Sequence, residues 1–190
     1  MTRDILLEDH DVLLRPLLRQ DIPFLQKHSS NSELWEYFTH DLSKPKQFEK
    51  WIKPHFEGER IQFSVINKIR GELAGSTAFG NYSMQDQRIE IGWSWLGTSF
   101  HGIEINQKMK KLMLAYCFEK LSLKRVEMKT DILNLPARHA LKKLGAMEEG
   151  VLRSHTLLHH GRRRNTIYYS VLPEDWKKIK AQNHVESTRI

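Results

Sequence analysis

The sequence has very little cysteine and no long apolar run. Its 190 residues include one cysteine, Cys117. No disulfide can therefore form within the chain, and a reducing compartment such as the cytoplasm is the expected location. No window approaches the about 20 consecutive apolar residues that a membrane helix needs. Charged side chains interrupt the first 18 residues, which argues against a signal peptide. We expect a soluble protein without a membrane partner.

Internal repeats, low-complexity tracts and glycine–serine linkers are also missing. A chain of this length with 39% hydrophobic residues can fill one core and is short for two. We therefore expect a single domain over residues 1–190. Cys117 lies in an apolar, helix-like run and is expected to pack in the core, with a nucleophilic role as the alternative.

Positive charge is present in excess. Thirty Lys and Arg against 23 Asp and Glu give a formal net charge of +7, which suits nucleic acid, a phosphate-rich cofactor or an acidic peptide. Charge alone does not choose among them. The densest basic stretch holds His155, His159, His160 and residues 162–164. It lacks carboxylates or cysteines that would complete a metal site and aromatics that would stack bases, so we expect no metal and disfavour nucleic acid.

The apolar pattern changes between strand and helix periods along the chain. Strands are predicted over residues 12–17, 61–67, 72–80, 88–96, 125–130, 150–157 and 166–172. Helices are predicted over residues 19–28, 46–57, 134–145 and 173–180, and in a long segment from residue 105. Asn134 is expected to cap its helix and Gly145 to end it. The sum is an α/β (α+β) fold, a mixed sheet of about seven strands with helices on its faces.

Two connections suit a phosphate-bearing ligand. Residues 97–106 form a glycine-bearing turn before the long helix, where free backbone N–H groups and the helix dipole favour a pyrophosphate. Gly97 and Gly102 can equally serve the turn alone. Residues 125–145 place Asn134 after a strand, at the sheet edge where ligands bind. The lysines that follow, Lys142 and Lys143, are either a solvated face or a contact for a ribose phosphate.

Four sequence pieces carry a family resemblance. They are LLRPLLRQDIPFL, RIEIGWSWLG, VEMKTDILNLPARHALKKLGAMEEGVLR and GRRRNTIYYSVLPEDW. In order and spacing they resemble the GNAT superfamily of acyl-CoA N-acyltransferases, and within it the RimJ and RimL type ribosomal-protein N-terminal acetyltransferases. The resemblance covers about residues 12–176. It implies the family's mixed, mostly antiparallel sheet with a splayed central pair of strands.

The resemblance also implies acetyl-CoA as co-substrate and an amine as acceptor. In the family, the free edge of the fourth strand pairs with the pantetheine arm, which here would involve Trp93, Ser94, Trp95 and Leu96. The loop that would hold the pyrophosphate comprises His101, Gly102, Ile103, Glu104, Ile105 and Asn106. Asn134 would bind the cofactor near its thioester end. Lys143 joins these candidates through its helix face, which suits a ribose phosphate.

Three positions depart from the family pattern. Glu104 stands where the family's loop has Gly or Ala, and a carboxylate beside a diphosphate is repulsive unless its side chain points to water. Ala137 and Leu141 stand where the family has a Ser or Tyr to protonate the departing thiolate, which can also leave to solvent. Other donors nearby in the sequence, without a spacing that places them at the sulfur, are Ser154, His155 and Tyr169.

Glu90 is the candidate catalytic base. It lies on the strand that lines the cleft in relatives, where it can take a proton from the acceptor directly or through a water. The alternative is a surface or ion-paired strand carboxylate. Trp35, Tyr37 and Phe38 fall in the segment that shapes the acceptor pocket in the family, or else belong to the core.

The sequence thus predicts an acetyl-CoA-dependent N-acetyltransferase for a protein N-terminus or a small amine. One alternative is a catalytically weak acyl-CoA-binding sensor or interaction module. A nucleic-acid-binding protein is the other, and it rests on charge alone. The acceptor stays open, and so does the oligomeric state, monomer or homodimer.

Overall fold

The architecture is a mixed eight-stranded sheet with helices on both faces. The computed structural model describes residues 4–102 and 104–187, with residues 183–187 described by their backbone alone. The strands lie in the order β1-β2-β3-β4-β5-β6-β8-β7. The elements are β1 (Leu7–Glu8), β2 (Val12–Pro16), α1 (Ile22–His28), α2 (Pro45–Glu57), β3 (Ile61–Asn67), β4 (Glu72–Ser83), β5 (Arg88–Leu96), α3 (Ile105–Ala115), β6 (Arg125–Asp131), α4 (Leu135–Leu144), β7 (Met147–Leu157), β8 (Arg163–Val171) and α5 (Pro173–Ser187).

The predicted elements are present, with one strand more than expected. The additional strand, β1, pairs with β2 over two residues, too few to show a period. Residues 19–21, expected as helix, form a 3₁₀ turn before α1. Asn134 caps α4 through a hydrogen bond from the Ala137 N–H, and Gly145 ends it with φ of 95°, as predicted. In the part of the chain that is described, no helix combines the length and apolarity needed to cross a membrane.

The separation of β5 from β6 makes room for a site. These neighbours run parallel, whereas the other strand pairs are antiparallel. They pair only where residues 88–90 lie opposite residues 125–127. Beyond that point their facing edges do not pair with each other, so backbone N–H and C=O groups are left for another partner. This is the splayed central pair that the family resemblance implies.

A β-bulge lies in β5 beside the gap. Gly92 pairs with Ala78 and Trp95 with Ser76, so Trp93 and Ser94 share the single position opposite Thr77. Trp93 has a φ of 51°, which is uncommon for a bulky residue and characteristic of a strained bulge position. The extra residue aims Trp93 at the same face of the sheet as Trp95.

Each face of the sheet has its own apolar cluster. The larger cluster lies under α3, α4 and α5 and includes Phe79, Leu96 and Met109. The smaller cluster lies under α1 and α2 and contains Trp35 and Trp95, whose ring centroids are 5.3 Å apart in an edge-to-face contact. Side chains of β5 thus anchor in both clusters, Leu96 in the larger and Trp95 in the smaller, which holds the strand in place while one of its edges stays open.

Gly80 of β4 provides the space in which the Trp93 ring packs. A Cβ at Gly80 would lie 2.5 Å from two ring carbons of Trp93, and the guanidinium of Arg60 covers the same ring at 5.0 Å from its centroid. We expect Gly80→Ala to lower the free energy of unfolding by about 1–3 kcal/mol through overpacking. Adding Trp93→Leu should recover part of this cost, measured by urea unfolding. If the losses in unfolding free energy of Gly80→Ala and Trp93→Leu simply add in the double variant, the packing argument is contradicted.

Candidate active site

A cavity of about 370 Å³ occupies the gap between β5 and β6. At one end it is bounded by side chains of α3 and α4, and at the other by residues 37–39 of the α1–α2 connection together with Thr156 and Arg164. Glu90, Trp93 and Ser94 of β5 and residues 128–130 of β6 line its middle. The cavity therefore reaches both faces of the sheet through the gap.

Glu90 lies at the last position where β5 pairs with β6. Its side chain is 5% exposed. Oε2 accepts hydrogen bonds from Asn81 Nδ2 at 2.7 Å and from Lys129 Nζ at 2.8 Å. Among the described residues no hydrogen bond reaches Oε1, which faces the space that Gly92 leaves open. Glu90 is therefore a buried, ion-paired carboxylate, which excludes the surface position that the sequence left open. It also lines the cavity, with Oε1 available to a ligand or water.

Two cations that the sequence pattern did not mark lie on the same face as Glu90. Lys129 bonds Glu90 and lies over the ring of Tyr168, 5.7 Å from its centroid. Arg164 is 9% exposed and donates through Nε to Thr166 Oγ1 at 2.9 Å. Burial lowers the pKa of Arg164, although Asp131 and Glu90 oppose the shift. The alternation in each strand could have placed these residues on one face, but not beside a cavity.

Lys110, from α3, brings a third basic group into the cavity. Its ammonium donates to Ser94 Oγ, which also hydrogen-bonds with Thr77 Oγ1 at 2.7 Å. Burial lowers the pKa of Lys110 to about 7, and the attraction of the Glu90 carboxylate opposes this shift. Near neutral pH this amine can therefore hold or release a proton. Its place in a lysine-rich stretch suggests a solvated face, which is why the sequence did not mark it.

The predicted pyrophosphate loop contributes to the cavity at one residue, Asn106. His101 Nε2 hydrogen-bonds the Leu96 carbonyl oxygen at 3.0 Å, and Gly102 has a φ of 75° that suits glycine. The side chain of Ile105 is buried in the larger cluster, which leaves its backbone as the available contact. Ile103 lies outside the described residues.

Glu104 is exposed to solvent, the arrangement in which its carboxylate would repel a diphosphate least. It is the residue before the first turn of α3, and its side chain is 77% exposed. One carboxylate oxygen lies 3.9 Å from Lys108 Nζ. Water and the Lys108 ammonium both screen this charge. The repulsion between Glu104 and a bound diphosphate would therefore be weaker than that of a buried, unpaired carboxylate.

In the predicted pantetheine-binding stretch, residues 93–96, two of the four side chains are buried in the clusters, so a ligand would meet mainly the backbone. Trp95 and Leu96 are buried in the two clusters, whereas Trp93 and Ser94 line the cavity. Asn134 lines the cavity while capping α4. Lys143 is exposed and does not line the cavity, which agrees with the interpretation as a solvated face.

The other proton-donor candidates lie outside the cavity. Tyr169 donates to Glu148 Oε2 at 3.1 Å, and Ser154 bonds Arg163 and Asn165. His155 hydrogen-bonds Thr166 Oγ1 at 3.1 Å. The positions where the family has donors, Ala137 and Leu141, do line the cavity. Cys117 packs in the larger cluster, as predicted, away from the cavity, and burial raises the pKa of its thiol, which argues against the nucleophilic role.

The tip of the β7–β8 hairpin contacts the α1–α2 connection just before residues 37–39, which line the cavity. His159 Nε2 bonds the Trp35 carbonyl oxygen at 3.0 Å, and His160 Nε2 bonds that of Glu36 at 3.1 Å. The histidines thus fasten the hairpin to the α1–α2 connection. In the described ranges, no three His, Cys, Asp or Glu side chains converge to hold a metal. Tyr37 and Phe38 line the cavity, whereas Trp35 is fully buried core.

Comparison with known proteins identifies the family that this geometry represents. Residues 11–147 match the family model described as the acetyltransferase (GNAT) domain, which is more than half of the chain. The chain belongs to this family, and it is an acetyl-transferring enzyme. The resemblance stated from four sequence pieces is thereby confirmed.

Individual relatives show how the family members differ in their acceptors. YdaF of Bacillus subtilis, to which a ribosomal N-acetyltransferase activity is ascribed, is 28% identical over 152 residues, which cover 77% of this chain and 80% of YdaF. Spermidine N(1)-acetyltransferase of Escherichia coli K12 is 28% identical over 163 residues, covering 83% and 84%. A GCN5-related N-acetyltransferase from Brucella melitensis superimposes with a TM-score of 0.88 at 25% identity, covering 97% and 86%. The names of the relatives leave the acceptor of this chain open.

The residues at the gap fit an acyl-CoA molecule. The unpaired edges of β5 and β6 offer backbone groups to the amides of a pantetheine arm. The first turn of α3 begins at Ile105, beside the cavity, and its free N–H groups suit a diphosphate. Acetyl-CoA is the co-substrate that GNAT enzymes use, and the open strand edge is the observation that supports it here.

Lys110 makes the stability of the protein depend on pH. Its pKa is about 7 in the folded chain and 10.5 for an unperturbed lysine, so between these values the unfolded chain binds more protons. The free energy of unfolding therefore rises with pH across this window. Below pH 7 the full cost of the buried charge is present, about 5 kcal/mol.

We expect Lys110→Met to be more stable than the parent below pH 7 and to lack the rise between pH 7 and 10. Urea unfolding at several pH values measures both. Lys120→Met, at an exposed position, is the matched control and should keep the rise. A parent protein whose pH profile equals that of Lys110→Met would contradict the assignment.

Proposed function

We propose that this enzyme transfers the acetyl group of acetyl-CoA directly to a primary amine, of a protein N-terminus or a small molecule, with Glu90 as the base. The observation that best supports this proposal is the position of Glu90. It is buried where β5 and β6 separate, and Oε1 is free to meet a ligand or a water in the cavity.

The proposed cofactor contacts follow the open edge and the start of α3. The backbone of β5 from Trp93 to Leu96, including Ser94 and Trp95, pairs with the pantetheine arm as an added strand would. Amide groups at His101, Gly102, Glu104, Ile105 and Asn106 hold the pyrophosphate, and Asn134 contacts the cofactor near the thioester. Lys143, exposed on α4, remains the candidate contact for a ribose phosphate.

The chain's own residues supply binding, orientation and proton transfer. Bound acetyl-CoA supplies an activated acyl group. Glu90 accepts a proton from the acceptor's ammonium, directly or through one water, and Asn81 and Lys129 hold the carboxylate in place. Fixing the amine beside the acyl group provides much of the rate enhancement.

Lys110 is our candidate for the donor that Ala137 and Leu141 cannot provide. Among the described residues it is the one titratable side chain of α3 and α4 that lines the cavity. Its pKa of about 7 lies below the value of about 8.5 for a free thiol, so transfer of its proton to the departing thiolate is favourable. Ser94 holds the amine in position.

Glu90→Gln tests the base. We expect kcat/KM to fall by about 10²–10⁴-fold, because the amide cannot accept the proton, while acetyl-CoA affinity measured by calorimetry stays within about threefold. Glu127→Gln is the matched control, since Glu127 is the register partner of Glu90 on β6 and does not line the cavity. Unchanged turnover of Glu90→Gln would remove Glu90 from its proposed role.

A catalytically weak acyl-CoA-binding module is the second candidate. The observation that favours it is the absence of a hydroxyl donor at Ala137 and Leu141, which both line the cavity. Calorimetry with acetyl-CoA followed by thiol release over a panel of amines separates the two. Binding without thiol release above the rate of spontaneous hydrolysis would support the module and overturn the enzyme mechanism.

A further inference from the structure

We propose that the acceptor carries an anionic group, a carboxylate, within a few bonds of its amine, and that Arg164 binds this group. The inference rests on the proposed amine acetylation and names the class of acceptor for the same site. It would make Arg164 the residue that determines acceptor specificity.

Arg164 is placed as a receptor for an anion. It lies in β8 opposite Thr156, on the face of the sheet that also presents Lys129, and it lines the cavity. More than nine-tenths of its surface is buried. Nε donates to Thr166, and within the described residues neither Nη group has a protein acceptor. A guanidinium cannot lose its proton to escape burial, so these donors face the water or the ligand that fills the cavity.

The acids near Arg164 are already engaged. Asp131 pairs with Arg162, and Glu90 pairs with Lys129. In the described part of the chain, no carboxylate lies within ion-pairing distance of Arg164. Its two Nη groups and Nε form a planar fork that matches a carboxylate or phosphate in geometry and charge. The unmatched positive charge therefore faces the cavity.

The charge balance of the cavity points the same way. Its lining contains three basic side chains, those of Lys110, Lys129 and Arg164, and one carboxylate, Glu90. Even where Lys110 is neutral, as its pKa of about 7 allows, Lys129 and Arg164 outnumber Glu90. Burial lowers the pKa of the neighbouring His155, Lys129 and Arg164 lower it further, and Glu90 opposes the shift, which is consistent with an excess of positive charge on this side of the cavity. A polyamine would bring a second cation into this field, whereas an amine with a nearby carboxylate would be attracted.

The size of the cavity limits how much of the acceptor enters. The cavity has a volume of about 370 Å³ and must also hold the end of the pantetheine arm. The part of the acceptor that enters is therefore small, with its amine toward Glu90 and its carboxylate toward Arg164. A free amino acid and the first residue of a peptide that begins with Asp or Glu both present this chemistry.

Matched acid and amide acceptors test the proposal. Thiol release is measured with free amino acids against their amides, with peptides that begin with Asp or Glu against those that begin with Asn or Gln, and with spermidine. We expect at least one acid to exceed its amide by tenfold or more in kcat/KM, and spermidine to rank below it. The two sets of pairs distinguish a free amino acid from a peptide.

Variants of the receptor provide the second comparison. Arg164→Met should bring the acid-to-amide ratio close to one, mainly by raising KM for the acid, with KM for acetyl-CoA unchanged. Arg164→Lys should give an intermediate ratio. Arg163→Met, at the exposed neighbouring position, should keep the parent ratio. If Arg164→Met does not fold, the acid-to-amide ratio of the parent protein decides by itself.

Binding without turnover separates this proposal from the proposed function. Calorimetry on the CoA-loaded protein compares an N-acetylated amino acid with its N-acetylated amide. Tighter binding of the acid that is lost in Arg164→Met supports the anion site, even if no amine releases thiol, a result that would refute the transfer alone. Equal binding of acid and amide, or preference for spermidine in turnover, would overturn the anion site.

Discussion

The parting of β5 from β6 after Glu90 is the constraint on which the rest of the structure depends. Parallel strands that stop pairing leave buried backbone groups without partners, which is tolerated only where a ligand or water can reach them. The flanking elements keep the gap open. Trp95 and Leu96 anchor β5 in different clusters, and Gln107 Nε2 donates to the Ala140 carbonyl oxygen at 2.8 Å, which ties α3 to α4 beside the gap.

The same gap explains the electrostatics of the site. Glu90, Lys110, Lys129 and Arg164 come from four different elements, and the low dielectric of the cavity makes each charge sensitive to the others. Glu90 and Lys129 satisfy one another. Burial lowers the pKa of Lys110. Arg164 cannot deprotonate and, among the described residues, has no carboxylate paired with it. The three basic groups therefore suit three different tasks.

Much of the fold could be predicted from the sequence because it rests on local patterns. The alternation in residues 88–96 and 125–130, the helical spacing after residue 105 and the cap at Asn134 are short-range signals, and each corresponds to an observed element. Strand β1 was not predicted, because two residues are too few to show an alternating pattern. Glu90 and Asn134 could be named as site residues because matching family pieces surround them.

Alone, the sequence determined the strand and helix order, the GNAT resemblance and the strand that carries Glu90. The tertiary structure decided which charged residues meet in the cavity. Lys110, Lys129 and Arg164 are 19 or more residues apart in the chain, and their local patterns look like solvated or strand surfaces. It also placed Glu104 and Lys143 toward solvent. The physical reason is that burial, and with it the pKa and pairing of a charge, is set by packing between distant segments, which no local period records.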